Sequence, residues 1–385
     1  MLSGRSSYTD DLTPPPGRRK RRRLGIPTIS DRVVQGSLKL VLEPILEADF
    51  QPSSYGFRPA RRAHDAMREI HLLATANHEW VVEGDIEKCF DTIDHVALLG
   101  RVRRRVGDKR VLALVKAFLH AGILTELGER EASTAGTPQG GLLSPLLANI
   151  ALSVLDDEFA HDRQSLMEPK WRRQRRREKG LANYKLVRYA DDFVVMVNGT
   201  RQDAEQLRDR IALLLQPMGL RLSPEKTAIT HIDEGFDFLG FRIQRRHKRG
   251  TVDKRHVYTY PSAKAVKAVK AKVRTILRRS NPAPPVAVLL HLNAVLRGWA
   301  TYHRHGVASK TFGAIDDYVW WRFARWLRVR HKGLTWKGLR RRFMVGWDFT
   351  IDGKTLIRAA SIPIVRYRYR GTKIPTPWTP ITQPA

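Results

Sequence analysis

Two adjacent aspartates, Asp191 and Asp192, lie between two short apolar segments, residues 184–187 and 193–197. These segments have the length and composition of β-strands, and only a short turn fits between them. The pattern therefore predicts a β-hairpin that carries both carboxylates at its tip. Adjacent carboxylates repel each other unless a cation lies between them, and Mg²⁺ held by carboxylates and substrate phosphates is typical of nucleotidyl transfer sites. An exposed turn without a metal is the alternative for the pair taken alone.

The charge of the chain indicates the class of its partner. It has 69 Lys and Arg against 38 Asp and Glu, a formal net charge of +31. A protein this basic attracts polyanions at long range, so nucleic acid is the first candidate. We expect no membrane partner and no export, because there is neither a signal-peptide pattern nor an apolar run of about 18 residues. The single cysteine, Cys89, excludes an internal disulfide and fits a reducing, cytoplasmic compartment.

Apolar periodicity predicts a mixture of helices and strands, an α+β fold with an antiparallel sheet. A strand pattern over residues 80–86 places Asp85 at a strand end, and residues 236–243 suggest a pair of strands. Residues 171–179 are expected to form a charged loop, either a solvated insertion or an RNA contact. Helices are expected over residues 32–48, 62–73, 96–106, 111–119 and 202–215. A further helix is expected to follow the glycine-rich break at residues 136–141 and to continue through Phe159.

The spacing of apolar residues in the first of these helices, over residues 32–48, predicts which side of it faces the core. That side is expected to comprise Val33, Leu38, Val41, Leu42 and Ile45.

Six segments, taken in order, resemble the reverse transcriptases of mobile group II introns. They are residues 25–28 (GIPT), 54–59 (SYGFRP), 85–94, 137–141 (TPQGG), 189–192 (YADD) and 236–241 (FDFLGF). The resemblance runs from about Arg18 to Trp378, and six ordered motifs are a strong signal where one would be weak.

The resemblance implies a right-hand polymerase with an antiparallel sheet in its fingers and palm, followed by an all-helical thumb and maturase region. We expect a basic flexible arm over residues 1–23, fingers and palm over 24–245, thumb and maturase over 246–345, and a tail over 346–385. The tail contains no cysteine, so no endonuclease with Cys and His metal ligands is expected.

The resemblance also assigns the catalytic and metal-binding carboxylates. Asp85 and Asp191 would be the principal ligands of two Mg²⁺ ions about 4 Å apart, and Asp192 would support them. The ions would activate the primer 3′-hydroxyl and neutralise the departing pyrophosphate.

A deoxynucleotide pocket is implied beside these carboxylates. Phe90 stands where similar polymerases carry an aromatic ring that excludes a 2′-hydroxyl, although an ordinary core position remains the alternative. Gln139 and Gly140 resemble the floor of the nucleotide pocket, where glycine permits close approach of the backbone, and a helix-start turn is the other interpretation.

Four basic residues are further candidates for nucleotide binding. Lys20, Arg22 and Arg23 precede the segment where the family's fingers contact the triphosphate, but they suit a non-specific RNA arm equally well. Lys226 lies where related polymerases place a general acid for pyrophosphate, and a solvent-facing charge is the alternative.

Beyond Tyr260 the pattern is helical. Val266, Val269, Val273 and Ile276 form one apolar stripe, and a second helix follows the proline-rich break at residues 281–285. A third helix carries aromatic residues that either fill the core or stack on bases, namely Tyr318, Trp320, Trp321, Phe323 and Trp326. Residues 296–304 and 336–343 resemble the family's maturase region, which implies RNA binding that aids splicing.

The expected function is RNA-directed DNA synthesis. The implied partners are the group II intron RNA, as template and ribonucleoprotein partner, a DNA primer or target, and dNTPs, at the nucleoid of a bacterial cytoplasm. The segment before residues 25–28 is shorter than in relatives, which suggests shortened fingers. A catalytically inactive RNA-binding maturase is therefore the alternative. A reverse transcriptase recruited to phage defence is a third, against which the maturase-like helices speak.

Overall fold

The computed structural model of this protein describes residues 27–124, 130–131, 133–138, 140–248, 250–251, 254–279 and 283–376. The chain divides into two compact units, one up to His231 together with the segment from Tyr369, and one formed by Ile232–Arg368. The predicted arm with Lys20, Arg22 and Arg23 lies outside the described residues, as does Gln139. Within the described ranges, no helix combines the length and the apolar character needed to cross a bilayer.

Within the described residues, the first unit combines eight α-helices with a four-stranded antiparallel sheet in the order β4-β5-β1-β6 and a two-stranded antiparallel sheet formed by β2 and β3. Its helices are α1 Ile29–Glu47, α2 Ala63–Thr75, α3 Cys89–Thr92, α4 His95–Arg103, α5 Lys109–His120, α6 Ser144–Asp162, α7 Lys170–Glu178 and α8 Arg201–Leu215. Its strands are β1 Trp80–Gly84, β2 Ile123–Leu124, β3 Arg130–Glu131, β4 Asn183–Tyr189, β5 Asp192–Asn198 and β6 Ala228–His231.

One face of the four-stranded sheet packs on helices and forms the core of this unit. Alternate residues of β5, Phe193, Val195 and Val197, share a buried cluster with Leu147 of α6 and Ile211 of α8. Alternation along a strand is what places these three side chains on the same face. The core therefore holds β1, β4 and β5 in fixed register at the edge where the aspartates lie.

Local capping explains where several of the predicted helices begin. The Asp94 side chain accepts a hydrogen bond from the Ala97 N–H at 2.7 Å and so caps α4. At the start of α8, Thr200 and Asp203 form a capping box, in which each side chain bonds the other's backbone N–H. These polar side chains satisfy N–H groups that have no partner within the helix.

The predicted core face of α1 is wrong in part. Leu42 is buried, but Val33 and Val41 are 64% and 63% exposed and Ile45 is 38% exposed. The buried side instead follows the four-residue spacing from Leu38 to Leu42 and Leu46. Residues one position away from such a row point about 100° to the side, because a helix turns once in 3.6 residues.

The charged loop predicted over residues 171–179 is also wrong, because this segment forms α7. None of its residues is buried, and its last turn contains Arg175, Arg176 and Arg177. Basic side chains near a helix C-terminus are favourable for the helix dipole. Charge density alone predicted solvent exposure correctly but not the backbone conformation.

In the part of the second unit that the structure describes, a three-stranded antiparallel sheet in the order β7-β8-β9 is followed by four α-helices and a small β10-β11-β12 sheet. Its strands are β7 Phe236–Phe238, β8 Phe241–His247, β9 Arg255–Pro261, β10 Met344–Val345, β11 Asp348–Ile351 and β12 Lys354–Thr355. Its helices are α9 Ala263–Arg279, α10 Pro285–His303, α11 Ser309–Arg330 and α12 Trp336–Phe343. The predicted strand pair is confirmed, but residues 246–345 are not all helical, since β9 and β10 fall within them.

The helices α9, α10 and α11 pack around a common core. The predicted stripe is confirmed: Val269, Val273 and Ile276 are buried together with Leu292 of α10. In α11 the side chain of Phe323 is fully buried, whereas that of Trp321 is 60% exposed. The aromatic residues of α11 are therefore divided between core and surface.

His78, which follows α2, should make the stability of the first unit depend on pH. Its Nδ1 lies 3.1 Å from the Leu73 carbonyl oxygen, and burial lowers its pKa to about 4. Between about pH 6.5 and pH 4 the unfolded histidine binds a proton that the folded one does not, so stability falls as pH falls. The loss should reach about 3 kcal/mol at most by pH 4.

Urea denaturation between pH 7 and pH 4 measures this effect. His78→Asn, which keeps a donor but does not titrate, should flatten the pH dependence, while the same change at the exposed His161 should not. An equal slope for wild type and His78→Asn would contradict the assignment.

Candidate active site

The predicted hairpin at the two aspartates is confirmed. Strand β4 pairs with β5 so that Tyr189 is opposite Asp192, and Ala190 and Asp191 form the turn between them. Ala190 has φ of 57°, a left-handed conformation that two-residue hairpin turns require. Asp191 is half-buried and Asp192 is exposed, so the turn presents both carboxylates at the end of the sheet.

Strand β1 brings the third carboxylate to the same sheet edge. Gly84, its last residue, pairs with Phe193, so Asp85 follows at the level of Asp192. The backbone of Asp85 is held in place, because its carbonyl oxygen accepts a hydrogen bond from Ser223 N–H at 2.8 Å. The register thus brings Asp85 to the same sheet edge as two adjacent carboxylates that lie about a hundred residues further along the chain.

The carboxylates at this sheet edge interact electrostatically with the thiol of Cys89. Burial raises the pKa of Cys89 to about 12, and the negative charge of Asp191, followed by smaller contributions that include Asp85, adds to the rise. Asp85 and Asp191, which come from different parts of the chain, therefore both raise the pKa of the same buried thiol.

Lys226 lies directly at the carboxylate edge. Its Nζ is 2.7 Å from Asp85 Oδ2, and its side chain is 62% exposed. The residue lies just before β6, the strand that pairs with β1 on the side away from β5. Of the four basic candidates from the sequence, this is the one that the structure describes.

The donors at this edge fit Mg²⁺ by their chemistry. They are carboxylate oxygens, which hard divalent cations prefer, and Mg²⁺ is commonly held by one or two carboxylates with substrate phosphates supplying further oxygens. In the described part of the chain, no group of three or more His, Cys, Asp or Glu side chains is arranged as a ready-made set of metal ligands. Asp85 and the turn at Asp191 can therefore supply part of a coordination shell, to be completed by phosphate oxygens.

The backbone near Phe90 packs against the start of the glycine-rich loop, at Gly136 and Thr137. Thr137 N–H donates to the Phe90 carbonyl oxygen at 2.6 Å, and Gly136 N–H donates to that of Ile93 at 2.8 Å. A Cβ on Gly136, whose φ is +83°, would lie 2.6 Å from the Phe90 carbonyl oxygen, so only glycine permits this approach. Phe90 itself is half-buried against the core, and the exposed Gly140 has φ of +111°.

A fully buried arginine supports the aspartate turn from behind. Arg188 Nε donates to both carboxylate oxygens of Asp156, at 3.0 and 3.1 Å. Its two terminal nitrogens donate to Asn149 Oδ1 at 3.0 Å, to the Ala190 carbonyl oxygen at 2.9 Å and to Ser54 Oγ at 2.8 Å. Because all of these groups are buried, the bonds are strong and an unmatched partner is costly. Arg188 is therefore a positioning residue for the turn.

The segment at residues 54–59 forms the other wall of this support. A Cβ on Gly56 would lie 2.2 Å from Ala190 N, so the two backbones are in direct contact. The Gly56 carbonyl oxygen accepts a bond from Asn149 Nδ2 at 2.9 Å. Arg58 is anchored by its Nε, which lies 3.0 and 2.9 Å from the carboxylate oxygens of Glu47. This motif holds the aspartate turn without contributing a carboxylate to it.

Sequence reasoning missed Arg188, Asn149 and Asp156 as parts of the site. A signal was present, since Asn149 and Asp156 are polar residues seven apart within the apolar helix α6, a spacing that places both on one face. Arg188, which directly precedes the YADD motif at residues 189–192, carries the positive charge that pairs with Asp156. What the sequence could not show is that these residues meet.

Comparison with protein families identifies two matching segments. Residues 13–243 match the model described as reverse transcriptase (RNA-dependent DNA polymerase). Residues 266–344 match the group II intron, maturase-specific domain. The first match alone covers more than half of the chain and includes every carboxylate of the candidate site.

Two curated relatives are similar in sequence. Protein YkfC of Escherichia coli (strain K12) is 39% identical over 265 residues, which cover 64% of this chain and 69% of that protein. The group II intron-encoded protein LtrA of Lactococcus lactis subsp. cremoris is 34% identical over 278 residues, covering 61% of this chain and 46% of LtrA. The match thus spans less than half the length of LtrA.

Among solved structures, apo telomerase from Candida tropicalis aligns with a TM-score of 0.48 and 14% identity. The alignment covers 86% of this chain and 62% of that chain.

Proposed function

This chain belongs to the reverse transcriptases and maturases encoded by group II introns, and on that premise we propose that it is an RNA-directed DNA polymerase that also assists splicing of an intron RNA. The observation that carries the polymerase proposal is the register of β1 and β5, which sets Asp85 level with Asp192 beside the turn at Asp191. Family membership supports the proposed reaction class, and this geometry supports the proposed position of the active site.

The three aspartates are proposed as the catalytic residues. Two Mg²⁺ ions held there would stabilise the attacking 3′-oxygen and the leaving pyrophosphate of nucleotidyl transfer. Asp85 and Asp191 would hold them from two different strands, while Asp192 keeps the charge of the edge negative. Lys226, whose Nζ is 2.7 Å from Asp85, is proposed as the general acid that would give a proton to the leaving phosphate oxygen.

The proposed nucleotide pocket uses Phe90, Gln139 and Gly140. The backbone of Phe90 is held by the hydrogen bond from Thr137 N–H to its carbonyl oxygen, and its side chain packs partly against the core. An aromatic ring in this place would exclude a 2′-hydroxyl and so favour dNTPs. Contacts of Lys20, Arg22 and Arg23 with the triphosphate remain a prediction from the sequence.

The proposed RNA partner is the intron RNA, and the second unit is proposed to bind it. Helix α9 carries lysines and arginines outside its buried stripe, among them Lys264, Lys267, Lys270 and Arg274. Such a surface neutralises phosphates and binds with an affinity that falls steeply with salt. A DNA target would place the complex at the bacterial nucleoid.

Primer extension by the wild-type protein tests the proposal. A labelled DNA primer on an RNA template, with Mg²⁺ and dNTPs, should be extended to full length, and replacement of dNTPs by NTPs should prevent this. Splicing of the intron RNA that flanks the coding region is measured in parallel. Splicing assistance without any extension would instead identify a non-catalytic RNA-binding maturase.

A further inference from the structure

An aromatic, basic hollow lies on the surface of the second unit, between the C-terminal half of α11 and the start of α12. We call it the aromatic groove. Its volume is about 1050 Å³, at the upper end of that of small-molecule sites. The lining residues that matter here are Tyr318, Trp321, Arg322, Arg325, Arg328 and Trp336.

The tryptophans of the groove face solvent. Trp321 is 60% exposed and Trp336 is 40% exposed, and their rings meet edge to face with centroids 5.8 Å apart. The adjacent core is filled by other residues of the same helix, since Phe323 is fully buried. Large aromatic faces left in water next to one another mark a binding surface rather than part of the core.

Guanidinium groups surround these rings. The guanidinium carbon of Arg328 is 4.9 Å from the centroid of Trp336, and that of Arg322 is 5.4 Å from the centroid of Tyr318. Arg325 also lines the groove, where the acidic lining residue is Asp317. Exposed aromatic faces combined with arginines suit nucleobases and their phosphates, because bases stack on the rings while guanidinium groups bind phosphate.

The basic surface continues beyond the groove. A second hollow of about 570 Å³ shares Tyr318 and Arg322 with it and is lined further by Lys267, Lys270 and Lys310. The two hollows form one positively charged track along α9 and α11. An extended polyanion fits such a track better than a compact ligand does.

We propose that the aromatic groove binds single-stranded RNA through one unpaired base stacked on Trp321, with the adjoining phosphates on Arg325 and Arg328. The strand then continues along Lys267 and Lys270. This inference rests on the proposed RNA binding of the second unit, and RNA is the occupant because the groove lies entirely within residues 266–344, which match the intron maturase domain.

Binding of short RNAs by the full-length protein tests the groove. The probes are a labelled 12-nucleotide single strand, the same ribose-phosphate strand without bases, an RNA duplex and a DNA strand of the same sequence. Trp321→Ala should weaken binding of the intact RNA strand by about 5- to 150-fold with an unchanged salt dependence. Arg325→Gln should instead lower the slope of log K against log salt by about 0.7.

Two comparisons separate stacking from a general loss of binding. Wild type and Trp321→Ala should bind the base-free strand and the duplex equally. Trp347→Ala is the matched control, because Trp347 is also an exposed tryptophan next to an arginine but does not line the groove. It is 63% exposed, and the guanidinium carbon of Arg340 lies 4.7 Å from the centroid of its ring. This variant should bind the intact strand as wild type does.

Three results would overturn the proposal. They are normal RNA binding by Trp321→Ala, an equal loss of binding on the base-free strand, and a loss of binding confined to the DNA strand. Primer extension by the same preparations distinguishes these failures from failure of the polymerase proposal. A wild-type protein that extends primers, with a Trp321→Ala variant that binds RNA normally, refutes the groove alone.

Discussion

Asp191→Ala should reduce extension of a DNA primer on an RNA template by about 10³-fold or more. The substitution removes a carboxylate proposed to hold Mg²⁺ against the reacting phosphate, and loss of about 4 kcal/mol of transition-state stabilisation corresponds to that factor. Asp191 lies in a two-residue turn and is only half-buried, so the fold should persist. Single-turnover extension with saturating dNTP measures the change in the chemical step.

A matched control and a second activity make the result specific. Asp209→Ala removes an exposed carboxylate on α8, whose ion pair with Arg208 is at the surface, and should leave extension unchanged. Binding of the intron RNA should also persist in Asp191→Ala, because the proposed RNA surface lies in the other unit. Extension within tenfold of wild type would refute the assignment of Asp191 as a catalytic residue.

Arg188→Leu should destabilise the first unit by about 3 to 5 kcal/mol. Both Arg188 and its partner Asp156 are fully buried, so the substitution leaves a carboxylate without its cation in the core. It also removes the hydrogen bond to the Ala190 carbonyl oxygen that holds the aspartate turn. Urea denaturation measures the stability, and primer extension under strongly native conditions measures the displacement of the turn.

Two variants test whether burial is the cause. Arg105→Leu breaks the ion pair with Asp49, in which the side chains are 50% and 43% exposed, and should cost less than about 1 kcal/mol. The double change Arg188→Leu with Asp156→Leu removes both charges and should recover much of the lost stability but not the lost extension. Equal costs for Arg188→Leu and Arg105→Leu would contradict the role given to the buried network.

Sequence patterns were sufficient for the local elements and for the fold class. The α+β polymerase class, the hairpin at Asp191 and the strand that ends before Asp85 are all present in the structure, and the family matches support the class. The hairpin and the strand depend on apolar periodicity and turn chemistry, which act over a few neighbouring residues, whereas the polymerase class was implied by the resemblance of the six ordered motifs.

Errors arose where a segment's environment decided its conformation. The helix α1 buries Leu42 and Leu46 rather than Val33 and Val41, and residues 170–178 form a helix despite their charge. Apolar residues outnumber the positions that one side of α1 can bury, so only the packing partner selects among them.

By itself, the sequence determined that three aspartates stand at a strand end and a hairpin tip, in the order of a known polymerase family. Only the tertiary structure decided that Asp85 lies level with Asp192, that Lys226 pairs with Asp85, and that Arg188 holds the turn. The physical reason is distance along the chain. Strand register and ion pairs join residues more than a hundred positions apart, such as Lys226 and Asp85, which are separated by 141 positions, and no local pattern records which of them meet.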